Sequence, residues 1–154
     1  MEKTLSVAAI ENGTVIDHID AQYALTIIRL LNLPGGKKLV TVGLNLPSQN
    51  MGRKDIIKVE GREITEKEAN KIAILSPTAT INIIKNYVVE KKFPVALPET
   101  IEYVVICPNR MCITNNERMM DTKFHVSHNG EEVRLKCHYC EKGFSQTEIK
   151  EYNH

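Results

Sequence analysis

The chain has 154 residues, with 42% hydrophobic and 25% charged side chains, the balance of an ordinary globular protein and not of a disordered tail, a collagen-like repeat or a low-complexity array. Twenty basic against nineteen acidic residues leave a formal charge of +1, which argues against a generic nucleic-acid binder, whose affinity comes from a basic excess. No apolar run nears the ~18 residues that span a bilayer, and Met1-Glu2-Lys3-Thr4 lacks a signal-peptide pattern, so a cytoplasmic chain without a membrane partner is expected.

Leu5 to Ile10 is an apolar, strand-like run, and Val15-Ile16-Asp17-His18-Ile19 after Gly13-Thr14 is a second short strand. Asp20 can cap a helix beginning just after it. Ala24, Ile27, Ile28 and Leu31 fall on one helical face, and Pro34-Gly35-Gly36 ends that helix. Leu39 to Leu46 and Asp55 to Val59 read as strands. Thr65-Glu66-Lys67-Glu68 has the form of a capping box, with Ala69, Ile72, Ala73 and Ser76 on one face of the helix before Pro77 stops it. Thr80 to Ile84 and Tyr87 to Val89 are strands around Lys85-Asn86. From the second strand on, the order is β-α-β-β-α-β, the ferredoxin-like pattern, with the first strand extra.

Lys91 to Glu99 carries Pro94 and Pro98 and reads as a linker, because repeated prolines prevent continued helix or sheet pairing. The expected boundary is near residue 98, giving an N-terminal domain of residues 1–98 and a C-terminal domain of residues 99–154. The second domain reads as all-β. Ile101 to Ile106 is a strand, Phe124 and Val126 alternate on another, Val133 and Leu135 on a third, and Asn129-Gly130 carries a hairpin signal between the last two.

All four cysteines lie in that second domain: Cys107 and Cys112 as C-x4-C, then, 24 residues on, Cys137 and Cys140 as C-x2-C. Two disulfides would need an oxidising compartment, to which nothing here directs the chain. Paired short-spaced cysteines in a cytosolic chain point to Zn2+, because two tight loops offering two thiolates each can close a tetrahedron. Iron accepts the same four-sulfur set. Four thiolates leave no open position for water, so one structural ion per chain is expected. His138, between two ligands, is then a solvent-facing loop residue. A domain of this size buries a modest share of its surface, and a metal staple suits it.

Catalytic constellations are poorly supported. There is no Gly-x-Ser-x-Gly and no His-Glu-x-x-His, and Gly52-Arg53-Lys54 lacks the upstream glycine of a phosphate loop. Asp17 and His18 are neighbours on a strand, whose side chains are expected to point to opposite faces, so they do not form a dyad by themselves. Asp17, Lys58 and Asn82 interrupt apolar strands and Lys91-Lys92 follows the last one. Edge solvation explains such lysines at least as well as a binding site does. A zinc-ribbon nucleic-acid binder is disfavoured by the charge and by the three phenylalanines and absent tryptophan. A small metalloenzyme is disfavoured by the closed thiolate set.

Gly13-Thr14-Val15-Ile16-Asp17-His18-Ile19, Gly43-Leu44-Asn45-Leu46-Pro47-Ser48, Met51-Gly52-Arg53-Lys54-Asp55, Pro77-Thr78-Ala79-Thr80-Ile81-Asn82 and Cys107-Pro108-Asn109, with the later Cys137-His138-Tyr139-Cys140-Glu141-Lys142, together resemble the regulatory chain of aspartate carbamoyltransferase, in the same order along the whole chain. The resemblance implies a non-catalytic, allosteric subunit of de novo pyrimidine biosynthesis. It implies an N-terminal domain that binds ATP, CTP and UTP, and a C-terminal zinc domain that docks on the catalytic chain. It further implies homodimers, three of which link two catalytic trimers. By the same resemblance the nucleotide pocket uses Val7, Ala9, Ile10, Val15, Asp17, His18, Ile56, Lys58, Asn82, Ile84, Tyr87, Val89 and Lys92, with Lys54 affecting how a second nucleotide is sensed. Backbone groups near Ala9, Ile10 and Tyr87 are expected to read the base edge, Asp17 the ribose hydroxyls, and Lys58 and Lys92 the phosphates. Ala8 and Pro94 depart from the enteric members, which carry glutamate and a basic residue there.

Overall fold

A computed structural model describes residues 9–33, 38–130 and 132–153. The chain forms two compact units, Met1–Ala96 and Leu97–His154. In the first, β1 (Gly13–Asp20), α1 (Ala24–Leu30), β2 (Val40–Ser48), β3 (Gly52–Glu60), α2 (Glu66–Leu75), β4 (Thr80–Lys85) and β5 (Val88–Pro94) succeed one another in order. The strands make one sheet in the order β2-β3-β1-β4-β5, and every pairing is antiparallel. This is the ferredoxin-like β-α-β-β-α-β arrangement with β5 added at an edge. The expected strand at Leu5 to Ile10 falls, up to Ala8, outside the described residues, as does Pro34-Gly35-Gly36. Ala9 and Ile10 are described and lie outside any strand.

One face of the sheet is aliphatic. Ile16, Ile57 and Ile81 are fully buried, together with Ile27 of α1 and Ile72 and Ala73 of α2. Burying each isoleucine is worth roughly 1.5–3 kcal/mol, so this layer holds the unit together. The main chain enters it at Gly13, whose φ is +148° and where a Cβ would lie 2.0 Å from the Val59 carbonyl oxygen. Only glycine fits there.

The capping box of α2 forms as expected. Thr65 Oγ1 accepts the Glu68 N–H at 3.2 Å, and Glu68 Oε1 accepts the Thr65 N–H at 3.1 Å. α1 differs from expectation at both ends. Asp20 supplies no side-chain cap. The amides of Gln22 and Ala24 donate instead to Asp55 Oδ2, reaching across from β3. The helix stops at Leu30, and Asn32 adopts a left-handed φ of 56°. Its N–H donates to the Arg29 carbonyl and the Leu33 N–H to the Ile28 carbonyl, a Schellman closure in which asparagine takes the position usually given to glycine. The buried stripe therefore runs through Ala24, Ile27, Leu30 and Leu31, with Ile28 half-buried.

The linker expected from Lys91 onward is also corrected. Lys91 to Pro94 continue β5, with Pro94 opposite Thr80 and Phe93 opposite Ile81. Proline is tolerated there because β5 is an edge strand.

The second unit is a four-stranded antiparallel sheet in the order β6 (Thr100–Glu102), β7 (Lys123–His128), β8 (Val133–Cys137) and β9 (Gly143–Ser145). Phe124, Val133 and Leu135 are fully buried at its centre. The strand expected over Ile101 to Ile106 ends at Glu102, because Tyr103 turns to a φ of 72°. Val105 then bridges Tyr152 instead. The β7–β8 hairpin closes at His128 and Val133, so its Asn-Gly pair sits in a four-residue loop and not in a two-residue turn.

Candidate functional site: a four-thiolate centre and a charged row across the sheet

The loop after β6 carries Cys107 and Cys112, β8 ends on Cys137, and the turn before β9 carries Cys140. All four sulfur atoms lie within 4.8 Å of one another. Cys107 and Cys140 are 3.9 Å apart, and Cys112 and Cys137 are 3.7 Å apart. A tetrahedron with Zn–S bonds of ~2.3 Å has edges of about 3.8 Å, so the sulfurs already stand at zinc spacing. Three of the cysteines are buried and Cys140 is half-buried. The set fits structural zinc, which would take Cys107, Cys112, Cys137 and Cys140 as its ligands.

Two residues that the sequence did not single out shape the first loop. Asn115 Nδ2 donates to the carbonyls of Cys107 and Asn109, at 2.9 and 2.7 Å. Asn116 Nδ2 donates to those of Cys112 and Arg110, at 2.9 and 3.2 Å. They hold the turn that presents two sulfurs together. The available signal was the pair of adjacent asparagines just past Cys112, since asparagine side chains commonly satisfy turn backbone.

Burial pushes the metal-free Cys107 and Cys137 thiols up, against nearby backbone N–H groups. Burial acts the same way on Cys140, but hydrogen bonds with the Asn109 side chain, the Lys142 backbone and the Cys137 and Cys107 thiols together outweigh it and bring that thiol down to about 7. His138 is exposed, as expected, and its Nδ1 lies 3.0 Å from His125 Nε2.

In the first unit, strand register gathers the other candidates. Lys58 lies opposite Val15, Val15 opposite Asn82, and Asn82 opposite Lys92. Directly opposed residues project to the same face, so these four form a row across β3, β1, β4 and β5. Lys54 and Ile56 share that face with Lys58 by strand alternation, and Asp17 shares it with Val15. Ile84 shares it with Asn82 by alternation along β4, and a register shift between β4 and β5 sets Val89 opposite Ile84. This is the sheet face opposite Ile16, Ile57 and Ile81.

A bulge in β1 between Ile16 and Ile19 corrects the expectation for Asp17 and His18. His18 has a φ of 56°, and its Nδ1 lies 3.0 Å from Thr80 Oγ1. Thr80 is opposite Asp17. The extra residue therefore brings both side chains to one face, where unbroken alternation would part them.

Lys58 is 4% exposed. Desolvation lowers its pKa, and Asp17 acts in the opposite direction. Lys54 Nζ pairs with Asp17 Oδ1 at 2.9 Å. Lys92 and Val89 are exposed on the edge strand. Tyr87 lies outside the strand expected for it, in the β4–β5 turn at a φ of 66°, and its N–H donates to the Glu11 carbonyl at 2.9 Å. Ala9 is exposed and Ile10 buried. Val7 lies outside the described residues. The row thus offers cations at both ends, a carboxylate between them, and an apolar floor of Val15, Ile56 and Ile84. Among the described residues, no helix is long and apolar enough to cross a membrane.

Residues 5–96 match the family described as aspartate carbamoyltransferase regulatory chain, allosteric domain. Residues 99–150 match the metal binding domain of the same regulatory chain. The chain is 47% identical over 150 residues to the aspartate carbamoyltransferase regulatory chain of Vibrio parahaemolyticus, covering 97% of each. It is 45% identical over 152 residues to that of Photobacterium profundum, covering 99% of this chain and 98% of the other. It is 46% identical over 149 residues to that of Aliivibrio fischeri, covering 97% and 96%. With an allosteric domain and a metal-binding domain in series, this chain belongs to the regulatory-chain family of aspartate carbamoyltransferase and is not its catalytic subunit.

Proposed function

We propose that the N-terminal unit binds nucleoside triphosphates on the charged row and that their binding is transmitted to a catalytic partner. The observation that carries this reading is the register Lys58–Val15–Asn82–Lys92, which lines up two ammonium groups on the face that also holds Asp17. Lys58 and Lys92 neutralise the phosphates and Asp17 accepts from the ribose hydroxyls, while the apolar residues lie under the base and sugar. The effectors are ATP, CTP and UTP, the nucleotides to which the family resemblance points. The zinc unit docks on the catalytic chain of aspartate carbamoyltransferase in the cytoplasm. The chain pairs as a homodimer, and three dimers link two catalytic trimers.

Titration calorimetry on the zinc-loaded full chain tests the site. Losing one charge-assisted contact costs about 1.5–3 kcal/mol, or roughly ten- to a hundred-fold in affinity. Lys58→Ala and Lys92→Ala are therefore expected to weaken ATP and CTP binding by that factor. They should also flatten nucleotide effects on aspartate saturation in the reconstituted assembly, since an effector acts only through unequal affinity for two states. Unchanged affinity in both variants removes the site from this row.

A further inference from the structure

The carboxylate that this reading assigns to ribose is already engaged. Asp17 Oδ1 accepts the His18 N–H at 2.6 Å and faces Lys54 Nζ at 2.9 Å. The Lys54 and Asp17 side chains are 21% and 22% exposed, so water only partly screens the pair. The Lys54 backbone is fixed on both sides, opposite Asp20 of β1 and Leu46 of β2. Its four-carbon stem is not so constrained.

We propose that Lys54 makes ribose recognition conditional on phosphate; the proposal rests on the nucleotide-binding reading above. With no anion at hand, Lys54 holds Asp17 through Oδ1, and a ribose hydroxyl must compete with that ammonium for the carboxylate's charge. A neutral nucleoside offers the ammonium nothing in exchange and loses that competition. A nucleoside polyphosphate brings its own anion. Lysine is a flexible point charge and can turn from carboxylate to phosphate, which frees Asp17 for the sugar. Lys58 and Lys92 attract phosphate, and Lys54 turns that attraction into a requirement. Selectivity against nucleosides then comes from a blocking contact and needs no added one.

The test is titration of the zinc-loaded full chain with ATP and with adenosine, in the wild type, Lys54→Gln and Lys54→Arg. Lys54→Gln frees Asp17 and is expected to bind adenosine about three- to tenfold more tightly. Lys54→Arg keeps the ion pair and should hold the wild-type ratio of ATP to adenosine affinity. Lys54→Met carries the same expectation as Lys54→Gln and replaces it if that variant fails to fold. Adenosine affinity that is unchanged or weaker in the freed variant overturns the proposal, and ATP bound by the wild type leaves the nucleotide site itself standing. A wild-type chain that binds neither ATP nor CTP overturns the nucleotide reading and this one with it.

Discussion

Asp55 on β3 accepts the backbone N–H of Ala24, the first residue of α1, at 3.2 Å. The same carboxylate accepts the Gln22 N–H at 2.9 Å and the Asn45 N–H at 2.8 Å. It therefore starts a helix, closes the turn before it and pins the bulge of β2 after Gly43. Asp55 is fully buried, which a carboxylate tolerates only with donors around it. Asp55→Ala leaves those donors without their acceptor, at about 1–3 kcal/mol each. We expect a loss of roughly 3–5 kcal/mol, within the range for breaking a buried polar network, and a smaller loss for Asp55→Asn. Urea unfolding monitored by far-ultraviolet circular dichroism measures it. Bound metal should be unchanged, because the cysteines lie in the other unit.

Metal removal should unfold the second unit. Structural zinc supplies about 10–16 kcal/mol in small domains at neutral pH, and this unit has only short strands around its core. Chelation or Cys112→Ser is expected to abolish its ordered spectrum and, in the reconstituted assembly, to release the catalytic partner. Assembly at ordinary concentration with no bound metal would contradict this.

The affinity for zinc should rise with pH. Burial holds protons on the metal-free Cys107 and Cys137 thiols above the ordinary thiol range, and the metal must expel them. Cys140, brought down to about 7, gives up its proton more easily. Competition against a chelator of known pH dependence should show weakening as pH falls from 8 to 6. A flat profile would mean that the thiols are ionised before the metal arrives.

Lys58 carries a stability penalty in the empty chain. Its native pKa is lowered from 10.5 by burial, so the native state sheds the proton before the unfolded chain does. Stability then rises with pH between the lowered value and 10.5. Lys58→Met should remove that rise and leave the thermal midpoint at neutral pH equal to or above the wild type's. It should also shrink any midpoint shift that ATP produces at a given concentration. A midpoint lower by several degrees would mean that the ammonium supports the sheet.

Thr65→Ala is expected to cost about 1 kcal/mol, the usual value of an N-cap. Glu68, which also pairs with Arg62, should hold part of the helix start. Thr65→Ser should cost nearly nothing, because it keeps the accepting oxygen. Thermal unfolding of the two variants side by side separates them.

Local chemistry was legible in the residues themselves. The box Thr65 to Glu68 depends on atoms three residues apart, and the C-x4-C and C-x2-C pairs bring their own sulfurs close through tight turns. The strand order came from apolar periodicity, and the length of the unit left few ways to pack it. By contrast, the cap of α1 comes from Asp55, 31 positions away. Nothing in the neighbourhood of Ala24 announces it, and the nearer Asp20 looked the better candidate. Lys91 to Pro94 read as a linker because proline and charge resemble one, yet an edge strand accepts both when a neighbour supplies the hydrogen bonds. Motif resemblance named Lys58, Asn82 and Lys92 as one site, but periodicity alone saw polar interruptions of two separate strands and a lysine beyond the last one. Register across β3, β1, β4 and β5 puts them in one row, and the bulge at His18 turns Asp17 and His18 to the same face. Side-chain type and short spacing are properties of the chain, whereas register, bulges and long-range caps exist only once distant backbones pair.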